Sequence, residues 1–338
     1  MLFFFKKEFR ANKSPWKQYV VELILAFVIS LIVLNAGYAF EGTFASLSDY
    51  GWKSEFFNAI KSSFAGGIPL PLPHLYLSAI DEQFFNRNVF VYYLNGNLSK
   101  SGWASYYWFA LLLKTPIPLL AASAAALVLA FRRKAGFIER ILWASPAVFM
   151  FVFTLYVRID MGIRYLYPMM PFLFVLGGVA IAKLSEKGRA GTVVATVICV
   201  WYCLSIATTF GNGLAYFNEF AGGPAGGHRY LVESNLDWGQ NLVRLKKYVD
   251  ENKPEPLLVY NYGLVPPAAY GIEKAGWVPC RPTSAVIAIS VNYLKGVDPF
   301  QHRGKECFSW LAERKPVATL GNGLWVFDTR NDKNIKVR

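Results

Sequence analysis

Apolar residues run almost without interruption through about 18–40, 107–131, 139–157, 166–184 and 192–213. A membrane-crossing helix needs about 20 mostly apolar residues, so each stretch predicts one span. The segment 41–106 has a different pattern. In "WKSEFFNAIKSSF", Trp52, Phe56, Ile60 and Phe64 recur every fourth residue, with Lys53, Asn58, Lys61 and Ser62 between them. That spacing predicts a helix lying flat at the bilayer surface. The prolines of "GGIPLPLPHLY" are too dense for a helix interior. From about Asn212 the pattern changes again. "SNLDWGQNLVRLKKYVDEN" predicts a helix capped by Ser234 or Asn235, with Leu242, Leu245 and Val249 on one face. "PLLVYNY" and "SAVIAISV" predict strands, "KECFSWLAERK" a helix, and "PVATLG" and "LWVFDT" closing strands. The expected fold is a multi-pass α-helical membrane protein of about five spans with a small C-terminal extracytoplasmic α/β domain. The expected boundaries are 1–213 for the membrane domain, with an interfacial outer loop at 41–106, and 214–338 for the α/β domain.

Composition sharpens this picture. Of 338 residues, 54% are hydrophobic and only 17% charged, against roughly 25% in an ordinary soluble domain. The net charge of +13 raises nucleic acid as a partner, but its placement points elsewhere. Lys6, Lys7, Arg10, Lys13 and Lys17 precede the first span; Arg132, Arg133, Lys134 and Arg140 follow the second; Lys183, Lys187 and Arg189 follow the fourth. Basic residues collect on the cytoplasmic side, so the N-terminus is expected inside and the C-terminal domain outside, with no nucleic-acid role. The start "MLFFFKKEFR" lacks the apolar core of a signal peptide and reads as a cytoplasmic lead-in. Small residues in "AASAAALVLA" permit close helix packing. Cys199 and Cys203 lie in an apolar run and read as buried small hydrophobes. Cys280 and Cys307 lie where an oxidising compartment would let them pair, a pairing that sequence leaves open.

Candidate chemistry concentrates in "RIDMGIRYLYPMMPF", where Arg158, Asp160 and Arg164 separate two spans. Lys114, in "LLLKTPIPLL", is about seven residues into span two and can extend outward to the same level. Pro116 and Pro118 disturb that helix and free backbone groups to face a cavity. Cations at headgroup depth suit a lipid phosphate, which arginine grips as a planar fork and lysine as a point charge. The competing structural reading makes Arg158 and Asp160 a loop ion pair, Arg164 a helix-end anchor and Lys114 a snorkelling side chain. "GGPAGGHR" lacks the ending of a phosphate-binding loop and reads as a flexible joint. His74, His228 and His302 have no ligand spacing, so no zinc site is inferred, and the sequence leaves a metal open.

"GIRYLYPMMPFLFVLGG" resembles the Arg-Tyr-x-x-Pro-x-x-Pro segment of bacterial family 39-like membrane glycosyltransferases. These are related to the protein O-mannosyltransferases and lipid A aminoarabinose transferases of C-type fold. "LLLKTPIPLL", "LNAGYAFEG" and "YFNEFAGGPAGGHRYLVESNLDWGQNL" look like the later half of the same proteins. The resemblance implies transfer of a sugar from a polyprenyl-phosphate-linked donor at the outer face of the bacterial cytoplasmic membrane. Lipid-phosphate contacts would come from Arg164, Tyr165, Lys114 and Arg158, and no further cofactor is implied. Family members carry a catalytic aspartate in their first outer loop. Here the first span matches a later helix, so the chain is expected to correspond to the C-terminal half, with a separate N-terminal half as a possible partner. Substitutes for the missing carboxylate are Glu41, Asp81 and Glu82, although adjacent acids on a helix do not share a face. Asp237, Trp238 and Gln240 are candidates for sugar or acceptor contact, weighed against Asp237 as a first-turn helix acid. The alternative function is a non-catalytic membrane protein binding the carrier lipid or a partner subunit. A transporter is disfavoured, because the spans show no inverted repeat.

Overall fold

The computed structural model describes residues 15–86, 90–131, 144–150, 152, 160–298 and 305–332. Its packing divides the chain between Asn88 and Val89. The expected boundary after Gly213 therefore falls inside the second unit.

In the first unit, helix α1 (Pro15–Gly37) is apolar all round, with Leu23, Phe27, Ile32 and Val33 exposed on the isolated chain. Such a helix needs a non-aqueous surrounding. Beyond it, α2 (Glu55–Lys61) and α3 (His74–Asn86) enclose a small core of Leu47, Trp52, Phe57 and Leu77. The expected four-residue stripe does not form one face. Ser54 caps α2 by accepting the Phe57 amide, so Trp52 falls outside the helix. Trp52 and Phe57 are buried, whereas Phe56 and Phe64 face outward.

The second unit begins with a hairpin, β1 (Tyr92–Leu94) and β2 (Asn97–Ser99). Asn95 and Gly96 turn it with positive φ at both positions, the geometry that matches strand twist. Helices α4 (Tyr106–Lys114) and α5 (Ile117–Phe131) follow and are bent by 112° at their junction. Pro116 lacks an amide hydrogen and forces Thr115 out of the helical region, to φ −109 and ψ 135. The carbonyls freed by this break do not face a cavity. Asn218 Nδ2 donates to Leu112 O at 2.5 Å and to Thr115 O at 2.8 Å, and its amide donates to Leu113 O at 2.9 Å. One asparagine thus caps the end of α4.

A 3-10 segment, Ile163–Met169, leads into α6 (Met170–Ser185), and α7 (Arg189–Ala207) returns antiparallel. Ala122, Ser123 and Ala126 of α5 let α6 approach through Leu173, Leu176 and Gly177, and Ser123 Oγ donates to Leu173 O at 2.9 Å. Helix α7 buries only Gly191, Ala195 and Ser205. Cys199 and Cys203 are consequently exposed and are not core residues as expected. Among the described residues three helices are long and apolar enough to cross a membrane: Tyr19–Gly37, Ile163–Ser185 and Arg189–Ala207; the α4–α5 pair adds a fourth if it counts as one span. Of the expected third span, 139–157, the described part (144–150 and 152) is helical and the rest lies outside the described residues.

The C-terminal region holds α8 (Leu242–Asn252) and four strands: β3 (Leu257–Tyr260), β4 (Val286–Ser290), β5 (Ala318–Leu320) and β6 (Leu324–Asp328). Their order is β3-β4-β6-β5, parallel between β3 and β4 and antiparallel elsewhere. Alternate residues of β4 serve opposite faces. Ile287 and Ile289 pack with Tyr260, Tyr262 and Phe327. Val286 and Ala288 pack with Leu242 and Leu245 of α8. The segment 305–312 is a 3-10 turn followed by a short helix, Ser309–Ala312, and Cys280 and Cys307 form a disulfide.

Within the second unit no packing break separates this region from α4, α5 and α6. One core joins Tyr106, Leu166, Met169, Leu173 and Leu176 to Phe217, Leu231, Leu236 and Val291. The "GGPAGGHR" stretch is part of that joint packing and is not a flexible linker. A Cβ on Gly227 would lie 2.1 Å from the Phe217 ring, and one on Gly226 would lie 2.0 Å from Ala221 O.

Candidate functional site

Asn235 organises the site, at the junction of α4, the turn before α6 and the segment 231–238. It is fully buried. Its Oδ1 accepts the Ile163 amide at 3.1 Å; its Nδ2 donates to Tyr106 Oη at 2.7 Å and to Val232 O at 3.2 Å. Tyr106 Oη also accepts the Gly162 amide at 3.0 Å. At Gly162, φ is +82 and a Cβ would lie 2.5 Å from Ser234 Oγ, so glycine alone lets the two segments touch here.

Lys114 closes the other side of this knot. Its ammonium is buried and donates to Leu214 O at 2.6 Å and Asn235 O at 2.5 Å. It also sits 4.4 Å from the Phe217 ring centroid. Three donors thus have two carbonyls and an aromatic face. The expectation that Lys114 extends outward to a lipid phosphate is corrected: the 112° bend turns it inward, where it braces the chain. Asp160 is tied to the loop before α4. Buried beneath the Gly102–Trp103 turn, it accepts the Trp103 amide at 2.6 Å. Burial raises its pKa to about 6 despite that bond. Arg158 lies outside the described residues.

Arg164 stays at the surface. Its guanidinium carbon is 5.2 Å from the Tyr165 ring centroid and 5.6 Å from that of Trp238. Trp238 is 45% exposed, so a flat aromatic surface and a cation share one rim. Asp237, by contrast, is buried and committed. It accepts from Ser290 Oγ at 2.6 Å, Asn241 Nδ2 at 3.1 Å and the Gly239 amide at 3.2 Å. Burial outweighs these bonds and raises its pKa to about 6. Gln240 ties the same turn, accepting the Trp238 amide at 2.7 Å and donating to Leu236 O at 3.1 Å. These bonds, with Gly239 at φ +89, hold residues 236–241 out of a helix. Helix α8 therefore starts at Leu242, and Ser234 and Asn235 do not cap it.

Glu233 was not singled out among the acids of the sequence. It is buried yet has φ +64, a conformation uncommon for a residue with a Cβ and one that accumulates at functional sites. Its amide donates to Asn292 Oδ1 at 2.5 Å, which holds the strained backbone. The Ser234 hydroxyl lies 3.5 Å from its carboxyl and donates to Oε2. Burial raises its pKa to about 8, and the nearby Arg164 charge opposes that shift. Its only sequence signal was an acid directly before the Ser-Asn pair of "VESNLDWG".

The candidate carboxylates of the first unit are occupied structurally or lie exposed. Asp81 is buried and accepts the Lys53 amide at 2.7 Å and the Ser54 amide and hydroxyl at 2.9 and 2.5 Å. Glu82 pairs with Lys53 at 2.5 Å on the surface. Glu41 is exposed. Among the described residues no group of histidine, cysteine and acid side chains could hold a metal ion. No family model, curated protein or solved structure matches the chain.

Proposed function

We propose that the chain binds the phosphate of a polyprenyl-phosphate-linked sugar at Arg164 and belongs to a glycosyltransferase acting at the outer face of the bacterial cytoplasmic membrane. The observation that carries this reading is the position of Arg164. An exposed guanidinium stands at the start of an apolar helix, flanked by the Tyr165 and Trp238 rings. A guanidinium there meets a headgroup phosphate through two parallel hydrogen bonds, and the indole face suits the C–H face of a sugar. The Cys280–Cys307 disulfide supports an oxidising, extracytoplasmic setting for the sheet region.

The second reading, a non-catalytic carrier-lipid or partner-subunit binder, is favoured by one observation. Asp81 is spent on holding the start of α2, so it offers no base. Both readings share the phosphate contact and differ in turnover. The test is farnesyl phosphate binding to purified protein in detergent. A charge-assisted hydrogen bond is worth about 1.5–3 kcal/mol, so Arg164→Ala should weaken binding by roughly tenfold or more. Arg164→Lys should be nearly as harmful, because it keeps the charge and loses the fork. Equal affinity in all three proteins refutes the phosphate contact.

A further inference from the structure

We propose that the cavity at the end of β3 is a saccharide-binding site. It takes a neutral pyranose ring, with the Trp277 indole as stacking surface and Asn261 and Glu273 as polar contacts. The site goes beyond the phosphate contact and does not depend on Arg164.

The segment that follows β3 and the segment 272–277 line a cavity of about 460 Å³, within the range that holds small ligands. Both walls are fixed. Gly263 has φ +108, and a Cβ there would lie 3.1 Å from Trp238 O, so the first wall backs directly onto the 238–239 turn. The second wall pairs with the edge of β3: the Gly276 amide donates to Leu257 O and the Val259 amide to Gly276 O, both at 2.9 Å. A Cβ on Gly276 would lie 2.7 Å from Leu258 Cδ2, so glycine lets that wall close on the strand. Just past Trp277, Cys280 ties the same segment to Cys307. Tyr260 and Tyr293 also line the cavity, stacked with ring centroids 3.9 Å apart. Their hydroxyls are spent, on Asp298 Oδ2 at 3.0 Å and Asn261 O at 3.3 Å, so both rings are held in place. Trp277 stands 5.9 Å from the Tyr260 ring and is 66% exposed.

The polar groups specify the ligand class. Asn261 Nδ2 donates to Val265 O at 2.9 Å, which fixes the amide, and its Oδ1 takes no donor among the described residues. Glu273 makes no ion pair among the described residues. No lysine, arginine or histidine lines the cavity, so an anion would meet a carboxylate and no countercharge. A purely apolar ligand would strip water from the Glu273 and Asn261 acceptors and replace none of their hydrogen bonds. A quaternary ammonium suits aromatic faces but carries no N–H for those acceptors. A pyranose meets every requirement: its hydroxyls donate to Oδ1 and the carboxylate, and its C–H face lies against the indole.

The experiment is saturation-transfer NMR on the full chain, with methyl glucoside, methyl mannoside and methyl galactoside as probes and affinity read by titration. The detergent has a polyoxyethylene headgroup, since a sugar headgroup would compete. At least one glycoside should bind wild type. Trp277→Ala should weaken it about tenfold, and Trp277→Phe less, because a ring face remains. Glu273→Ala removes a charge-assisted hydrogen bond and should weaken it by roughly tenfold or more. Both residues are exposed, so these variants should melt like wild type. Arg164→Ala should bind the glycoside normally, and Trp277→Ala should bind farnesyl phosphate normally. Failure of one ligand therefore leaves the other site standing. No transfer to any of the three glycosides overturns the proposal, as does equal affinity in wild type, Trp277→Ala and Glu273→Ala. Binding of tetramethylammonium in place of the glycosides also overturns it and makes the cavity a cation cage.

Discussion

Replacing Lys114 by methionine distinguishes a brace from a ligand. Methionine keeps most of the apolar stem and removes the ammonium, so the change is confined to the polar contacts. The buried Asn235 O and the part-buried Leu214 O lose their donor. An orphaned buried carbonyl costs about 1–3 kcal/mol and a part-buried one less, giving roughly 2–4 kcal/mol for the pair. Relief from burying a charge returns part of this, leaving a net loss of about 2 kcal/mol. For a unit of this size 1 kcal/mol corresponds to about 2–4 °C, so the melting temperature in detergent should fall by roughly 4–8 °C. Farnesyl phosphate binding by the protein that remains folded should be unchanged. Thermal unfolding and binding measured on the same preparations decide the matter. An unchanged melting temperature with lost binding would refute the brace and restore Lys114 as a phosphate ligand.

Two further outcomes concern stability. The folded Glu233 carboxyl titrates near 8, against an ordinary 4.5. The folded state therefore holds this proton more tightly than the unfolded chain, and the stabilisation is complete below about pH 4.5 and lost as pH rises through 8. Asp160 and Asp237 titrate near 6, so the comparison belongs above pH 6.5: wild type should lose melting temperature from pH 6.5 to 9 and Glu233→Gln should lose less, whereas parallel profiles would contradict the buried acid. The Cys280–Cys307 bridge closes a loop of sequence separation 27, worth about 3–4 kcal/mol in the chain-entropy account. Cys307→Ser should lower the melting temperature and make it insensitive to reductant; identical melting of wild type with and without reductant would contradict a stabilising bridge.

Elements with strong local signals were legible in the sequence. The apolar runs around α1, α6 and α7 and the branched runs of β3 and β4 fell where pattern placed them. The break in α4–α5 was legible as Pro116, but its partner Asn218, about a hundred residues away, was not, because nothing local marks which distant amide caps a freed carbonyl. The β1–β2 hairpin had its Asn95-Gly96 signal, which the reading of 41–106 as an interfacial loop passed over. Arg164 and Trp238 were each readable as candidates. Their adjacency was not, since it depends on residues 236–241 being held out of a helix by Asp237 and Gln240. Glu233 was least legible of all: burial and left-handed backbone, not residue type, set it apart from other acids.

The brace at Lys114 has a consequence in time. Its two carbonyl partners lie 100 and 121 residues later in the chain. At a synthesis rate of about 5–20 residues per second, Asn235 emerges roughly 6–24 s after Lys114. Until Leu214 and Asn218 are made, roughly 5–20 s, the ammonium has neither final acceptor and the bend between α4 and α5 lacks its cap, and the second acceptor follows only with Asn235. The α4–α5 corner is therefore provisional while the chain is being made, and its arrangement is settled only when the segment around Asn235 arrives. Loss of chain downstream of Gly213 would be felt upstream, as an unassembled corner holding an uncompensated charge, the kind of intermediate that cellular quality control removes.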